Sequence, residues 1–218
     1  MAEIEFVTAL HKRTSRNYLQ RALDDKDHCA EIACRFDRDY WDGDRRYGYG
    51  GMAYDGRWMP VAERIAEHYQ LKAGQRVLDI GCGKGFLLHD LMTVVPGLQG
   101  VGLDLSSYAL AHAHGDQTDL VQGNATDLPF ADQSFDLVIS IMTLHNLGLA
   151  DLWKSLQEIT RVSKGRAYMT TESYRSVAEK NNLLNWQLTC RSFFCPQDWL
   201  WLFQQTGYQG DWAFQYFE

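Results

Sequence analysis

The residues best suited to chemistry lie in "VLDIGCGKG", Val77 to Gly85, an apolar run that meets a glycine loop. Gly81, Gly83 and Gly85 permit a tight turn and close approach of a ligand to the backbone, and a helix starting after them offers unpaired N–H groups. A dinucleotide loop has the spacing G-x-G-x-x-G, whereas this one reads G-x-G-x-G. Asp79 stands just before the turn, where it would repel a pyrophosphate but attract an ammonium group, directly or through water. The loop therefore calls for a cationic ligand without a phosphate.

Two further stretches complete that ligand. "VGLDLS" puts Asp104 at the tip of a second apolar run, where a carboxylate can accept from both hydroxyls of a ribose. "GNATDLPFADQSFDLVIS" places Asn124 and Ala125 after a third run, where a side-chain amide and a backbone N–H can read an adenine edge. Taken together, the three sites describe an adenosine that bears an amino acid.

These residues must be presented by a regular framework. From Arg76 onward short apolar runs ("RVLDI", "GVGLDL", "LVQG", "FDLVISI", "RAYMTTES") alternate with helical segments ("FLLHDLMTVV", "SYALAHAH", "LWKSLQEITRV"). Runs of this kind suit strands buried on both faces, with helices as crossovers. The expected fold is α/β, a Rossmann-like doubly wound, mostly parallel sheet of about six to seven strands. Its loops at the strand C-termini would form the site. Before the sheet, residues 3–36 read as two short helices, and Pro60 opens a third in "MPVAERIAEHYQL". After it, a helix in "PQDWLWLFQQTG" and a last strand in "DWAFQYF" are expected, with Trp186, Trp199, Trp201 and Trp212 filling the core under that helix. Without a repeat or a Pro/Gly/Ser-rich linker, residues 1–218 read as one domain: helices and lid over 1–59, a cofactor-binding core over 60–173, and an acceptor-side cover over 174–218.

The motifs in this order and spacing resemble the core of class I S-adenosylmethionine-dependent methyltransferases. The resemblance runs through Val77 to Ser140 by motif, and by alternation from about residue 60 to the C-terminus. It implies that S-adenosylmethionine is bound and S-adenosylhomocysteine released. Asp79, Gly81, Cys82 and Gly83 would hold the methionine part, Asp104 and Leu105 the ribose, and Asn124 and Ala125 the adenine, with Ile141 on the cofactor wall. Such families often carry Asp at the position of Asn124; an amide both donates and accepts, which leaves the orientation of this contact open.

Methyl transfer from a sulfonium is an in-line displacement, so alignment is the main task and a base is needed only where the nucleophile must lose a proton. "SIMTLHNLG" sets His145 as the candidate base and Asn146 as its orienter or an acceptor contact; a capping or buried structural role is the competing reading of His145. "TTESYR" adds Glu172, Tyr174 and Arg175 as acceptor contacts, or as an ordinary salt bridge. "YWDGDRRYGYGG", Tyr40 to Gly51, fits neither a core helix nor an alternating strand. It is expected to form a lid, with Tyr40, Tyr47 and Tyr49 excluding water and holding an acceptor, and Arg45, Arg46 and Arg57 binding an anionic group on that acceptor or the methionine carboxylate; the competing reading is a structural clasp. This layout also resembles small bacterial methyltransferases sometimes placed among genes for surface sugars, which implies a small polar acceptor.

Composition narrows the partners. A formal charge of −7 over 218 residues argues against a surface made to coat nucleic acid. No stretch approaches a membrane span and the N-terminus lacks a secretory layout, so a cytoplasmic protein is expected. Five cysteines without a Cys-x-x-Cys pair disfavour a disulfide framework or a zinc site, and no metal is expected. The leading expectation is an enzyme that methylates an O or N atom of a small, anionic acceptor, as a monomer or a homodimer. The alternatives are methylation of a protein side chain, which an open acidic groove would favour, and a cofactor-binding protein without catalysis.

Overall fold

The computed structural model describes residues 1–12, 15–115 and 119–218. Six strands form one sheet: β1 (Arg76–Ile80), β2 (Gln99–Asp104), β3 (Leu120–Gln122), β4 (Leu137–Ile141), β5 (Ala167–Glu172) and β6 (Asp211–Gln215). Their order is β3-β2-β1-β4-β5-β6 and every pairing is parallel, the last strand included. The order reverses between β1 and β4, which opens a crevice beyond the C-terminal ends of the strands. Asp79, Asp104, Ile141 and Glu172 all sit at or next to those ends.

Side-chain alternation along the strands divides the core into two layers. Leu78, Val138, Met169 and Phe214 face one side, against α8 (Leu149–Val162) and α10 (Pro196–Thr206). Val77, Leu137, Ile139, Tyr168 and Ala213 face the other, against α5 (Met59–Tyr69) and α6 (Phe86–Val94). Pro60 and Pro196 stand in the first turns of α5 and α10, and Gln70 and Gly207 close them in the left-handed conformation. α7 (Ser107–Ala111) starts at Ser106, whose side chain accepts from Ala109 N.

Among the described residues, 3–36 hold three short helices rather than two, α1 (Thr8–Lys12), α2 (Tyr18–Leu23) and α3 (Lys26–Ala33), and a fourth, α4 (Arg38–Asp42), takes up the start of the aromatic-rich stretch. α2 packs on α9 (Val177–Trp186), bringing the N-terminal segment over the C-terminal ends of β4 and β5. The tryptophans divide. Trp199 is fully buried and its Nε1 donates to Glu172 O at 3.1 Å, but Trp201 is 57% exposed on the outer face of α10. Trp201 is thus not a core residue: two positions on from Trp199, it lies well around a helix with 3.6 residues per turn. Among the described residues no helix is long and apolar enough to cross a membrane.

Candidate cofactor and acceptor site

The glycine loop is built for contact on both sides. Gly81 N and Cys82 N donate to Leu103 O at 2.7 and 3.2 Å, tying the turn to β2. Gly81 has φ +77°, and a Cβ there would lie 2.1 Å from Thr143 Oγ1. Gly83 has φ +56°, and a Cβ there would meet the Trp41 ring at 2.8 Å. Only glycine combines that conformation with such close cover.

Two carboxylates are buried beside this turn. Asp104 Oδ2 accepts from Gly83 N at 2.7 Å and Oδ1 from Ser106 N at 2.8 Å. Burial raises the Asp104 pKa above the ordinary carboxylate value, although these N–H groups favour the charged form. Asp79, 4% exposed, is pushed up to about 7, first by burial and then by the charge of Asp104. Two carboxylates in this position are relieved by a cation, as an ammonium group on a ligand would provide.

The cleft over this loop has two parts that share Trp41, Tyr49, Gly81 and Ile141. Asp79, Cys82 and Gly83 line one part; Asp104, Leu105, Asn124 and Ala125 line the other. All nine positions expected at the cofactor therefore line one or other of these two adjoining parts. Asn124 Oδ1 accepts from Thr126 N at 3.0 Å, so its NH2 is the group left to offer a ligand. Gly81, Gly83, Asp79 and Asp104 fit a ligand that is flat, needs close backbone approach, and is positively charged at one end.

The aromatic-rich stretch closes this cleft and is fastened at the same time. Trp41 and Tyr49 stack at 5.4 Å with an interplanar angle of 16°, and Tyr49 N donates to Tyr40 O at 2.8 Å. Trp41 Nε1 donates to Ser106 Oγ at 3.0 Å. Lys84 Nζ donates to both oxygens of Asp42 at 2.7 Å, and Tyr108 OH to Asp42 Oδ2 at 2.9 Å. The lid and clasp readings of the sequence thus coexist in one segment: aromatics face the cleft while Asp42 anchors them.

A second cavity adjoins the first, with Tyr40, Tyr49 and Met142 facing both. Met142 has φ +55°, a left-handed conformation that side chains seldom adopt, and its N–H donates to Thr170 O and Oγ1 at 3.1 Å. Arg45 and Arg57 line this cavity, as do Arg16 and Arg21, which sequence reasoning did not single out, and Trp186, which was expected in the core under the last helix and instead stands half-buried on this wall. Among the described residues Glu172 is the one acidic side chain on the cavity wall. Burial pushes Glu172 up to about 8, against hydrogen bonding from Gln187, the charge of Arg16 and a contact with Cys190.

Other acceptor-side expectations are placed elsewhere. His145 is 3% exposed and lies behind Glu172, its Nε2 3.6 Å from Glu172 Oε2; burial lowers it to about 3, so it is neutral. Its carbonyl accepts from Arg191 N and Ser192 N at 2.9 and 3.0 Å, which fixes it in the wall between β4 and the chain after α9. Asn146 lines the cofactor cleft rather than the second cavity. Arg46 pairs with Asp24 at 2.6 Å and stacks over Tyr47. Arg175 pairs with Glu218 at 2.8 Å and with Glu179, and Lys180 lies over Tyr174, so neither Tyr174 nor Arg175 reaches the cavity. Arg57, on the cavity wall, is held by Asp55 at 2.6 Å.

Residues 78–170, from β1 to β5, match the model of the methyltransferase domain family. The chain carries a class I S-adenosylmethionine-dependent methyltransferase domain. The match implies S-adenosylmethionine as the cofactor, with S-adenosylhomocysteine as its product. The domain is 33% identical over 142 residues to botryococcene C-methyltransferase of Botryococcus braunii, covering 60% of this chain and 35% of that protein. It is 33% identical over 118 residues to demethylmenaquinone methyltransferase of Symbiobacterium thermophilum, covering 50% of this chain and 46% of that one. The chain thus spans less than half the length of these curated relatives. The [4+2]-cyclase SpnF shares the fold across 95% of this chain and 73% of its own, with a TM-score of 0.57 at 19% identity. Arg16, Arg21, Arg45, Glu172 and Trp186 fall outside the matched methyltransferase span, so the family match is silent on most of the wall of the second cavity.

Proposed function

We propose that this chain moves the methyl group of S-adenosylmethionine to an oxygen or nitrogen of a small anionic acceptor held in the second cavity. The observation that carries this reading is the shared wall: Tyr40, Tyr49 and Met142 separate a cleft suited to the cofactor from a space lined by arginines. When bound, S-adenosylmethionine supplies an electrophilic methyl group on a sulfonium. Asp79 would hold the ammonium, Asp104 the ribose hydroxyls, and Asn124 with Ala125 the adenine edge. Trp41 and Tyr49 cover the glycine loop and exclude water from it.

Glu172 is the group placed to take a proton from the acceptor, since it faces the cavity and His145 does not. His145, neutral and fixed behind it, positions that carboxyl. Some relatives, botryococcene C-methyltransferase among them, are named for a carbon acceptor; the polar wall of Glu172 and four arginines favours an oxygen or nitrogen here. An arginine-lined cavity also speaks against a cationic protein segment as acceptor. Thermal-shift measurements test the cofactor assignment: S-adenosylmethionine and S-adenosylhomocysteine should both raise Tm while NAD does not, and the reverse order would overturn it.

A further inference from the structure

The second cavity has an unusual balance of charge at its far end. The guanidinium carbons of Arg16, Arg21 and Arg45 each lie 5.6 Å from the ring centroid of Trp186, though they come from three separate segments. Arg16 also lies 5.1 Å from the centre of Phe217. Elsewhere on the lid, arginine charge is met by a carboxylate: Asp24 for Arg46 and Asp55 for Arg57, both at 2.6 Å. Among the described residues, neither Arg21 nor Arg45 has a carboxylate within ion-pair distance. Their hydrogen-bond partners are carbonyls: Arg21 Nη1 donates to Arg46 O at 2.6 Å, Arg21 Nε to Trp186 O at 3.4 Å, and Arg45 to Gly48 O.

Carbonyls and the face of an indole position a guanidinium but leave its charge uncompensated. Positive charges gathered about one ring repel one another, and the Arg21 pKa is lowered by burial and then by Arg45. Among the described residues the one acidic side chain on the cavity wall is Glu172, whose pKa burial pushes up to about 8. All this occurs in a chain whose formal charge is −7. Arg21 and Arg45 are compensated when an anion with several oxygens sits between them. A single carboxylate is satisfied by one forked arginine, whereas a tetrahedral dianion offers oxygens to both at once.

Resting on the acceptor reading above, we infer that Arg21, Arg45 and Trp186 form a subsite for a phosphate monoester on the acceptor. The phosphate sits at the Trp186 end and the atom to be methylated lies toward Tyr40, Tyr49 and Met142, the wall shared with the cofactor cleft. Arg21 and Arg45 therefore select acceptors by their head group and leave the chemistry to the opposite end.

Calorimetry with phenyl phosphate tests the inference without knowledge of the acceptor, using the full chain saturated with S-adenosylhomocysteine. The wild type should bind phenyl phosphate, and Arg21→Gln and Arg45→Gln should each weaken it at least tenfold. S-adenosylhomocysteine affinity, titrated separately, should stay within twofold in both variants. Arg45 is exposed, so Arg45→Gln reads out cleanly even where Arg21→Gln lowers stability. Phthalate, a dicarboxylate, serves as the competing head group and should bind at least tenfold more weakly than phenyl phosphate. Failure of phenyl phosphate to bind, equal binding by the variants, or a preference for phthalate would each overturn the phosphate subsite. Loss of S-adenosylhomocysteine binding by the wild type would instead strike the cofactor reading on which it rests.

Discussion

Replacing Asp79 with Asn should stabilise the ligand-free protein while weakening its hold on the cofactor. The side chain is 4% exposed and its pKa stands at about 7 against an ordinary 3.8. The folded chain therefore binds more protons than the unfolded chain between these values, and stability falls as pH rises through that window, levelling off above about 7. Full ionisation costs on the order of 4 kcal/mol at most, by the usual ~1.4 kcal/mol per tenfold change. Relaxation and water entry around the charge would leave about 1–3 kcal/mol of that penalty. Asparagine carries no such penalty, so the Tm advantage of Asp79→Asn should grow from near pH 4 to pH 7 and then hold, by roughly 3–10 °C for a chain of this size. Loss of a charge-assisted hydrogen bond to the ligand ammonium should meanwhile weaken S-adenosylhomocysteine by about tenfold to a hundredfold. Scanning calorimetry across pH and isothermal titration at pH 7.5 measure the two effects. A Tm difference that does not change with pH, or unaltered S-adenosylhomocysteine affinity, would refute the assignment of Asp79.

Two further outcomes follow from the same geometry. With an acceptor whose nucleophile must lose a proton, kcat should rise with pH and reach half its limit near pH 8, as Glu172 ionises, and Glu172→Gln should abolish that rise; a flat wild-type profile would remove Glu172 as base. Gly81→Ala places a methyl 2.1 Å from Thr143 Oγ1 at φ +77°, and should reduce S-adenosylhomocysteine affinity by more than tenfold while circular dichroism shows the fold retained; wild-type affinity would contradict the close-packed loop.

The cofactor cleft was legible in the sequence because it is built from local motifs at strand ends. Asp79, Asp104 and the turn at Asn124 each lie at the end of an apolar run, and parallel pairing of β1 with β2 and of β2 with β3 brings those ends together without further information. The acceptor cavity was only partly legible because it is assembled by distant packing. Arg16 and Arg21 lie in a polar N-terminal stretch with no motif, and only the docking of α2 on α9 sets them around Trp186. His145 and Glu172 were expected at one rim, and adjacent strands do place them there. Which of them faces the cavity depends on the chain after α9, whose Arg191 and Ser192 hold the His145 carbonyl. Trp201 was misplaced because hydrophobicity alone does not say which face of a helix a residue occupies.

Methyl transfer itself is the claim on which everything else depends. Incubation with S-adenosylmethionine carrying a deuterated methyl group, together with a fractionated metabolite extract, followed by mass spectrometry, addresses it directly. The predicted result is a labelled small anionic product, formed by the wild type and not by Asp104→Ala, with one S-adenosylhomocysteine per label. Stoichiometric S-adenosylmethionine binding with no label transferred to any fraction would contradict it.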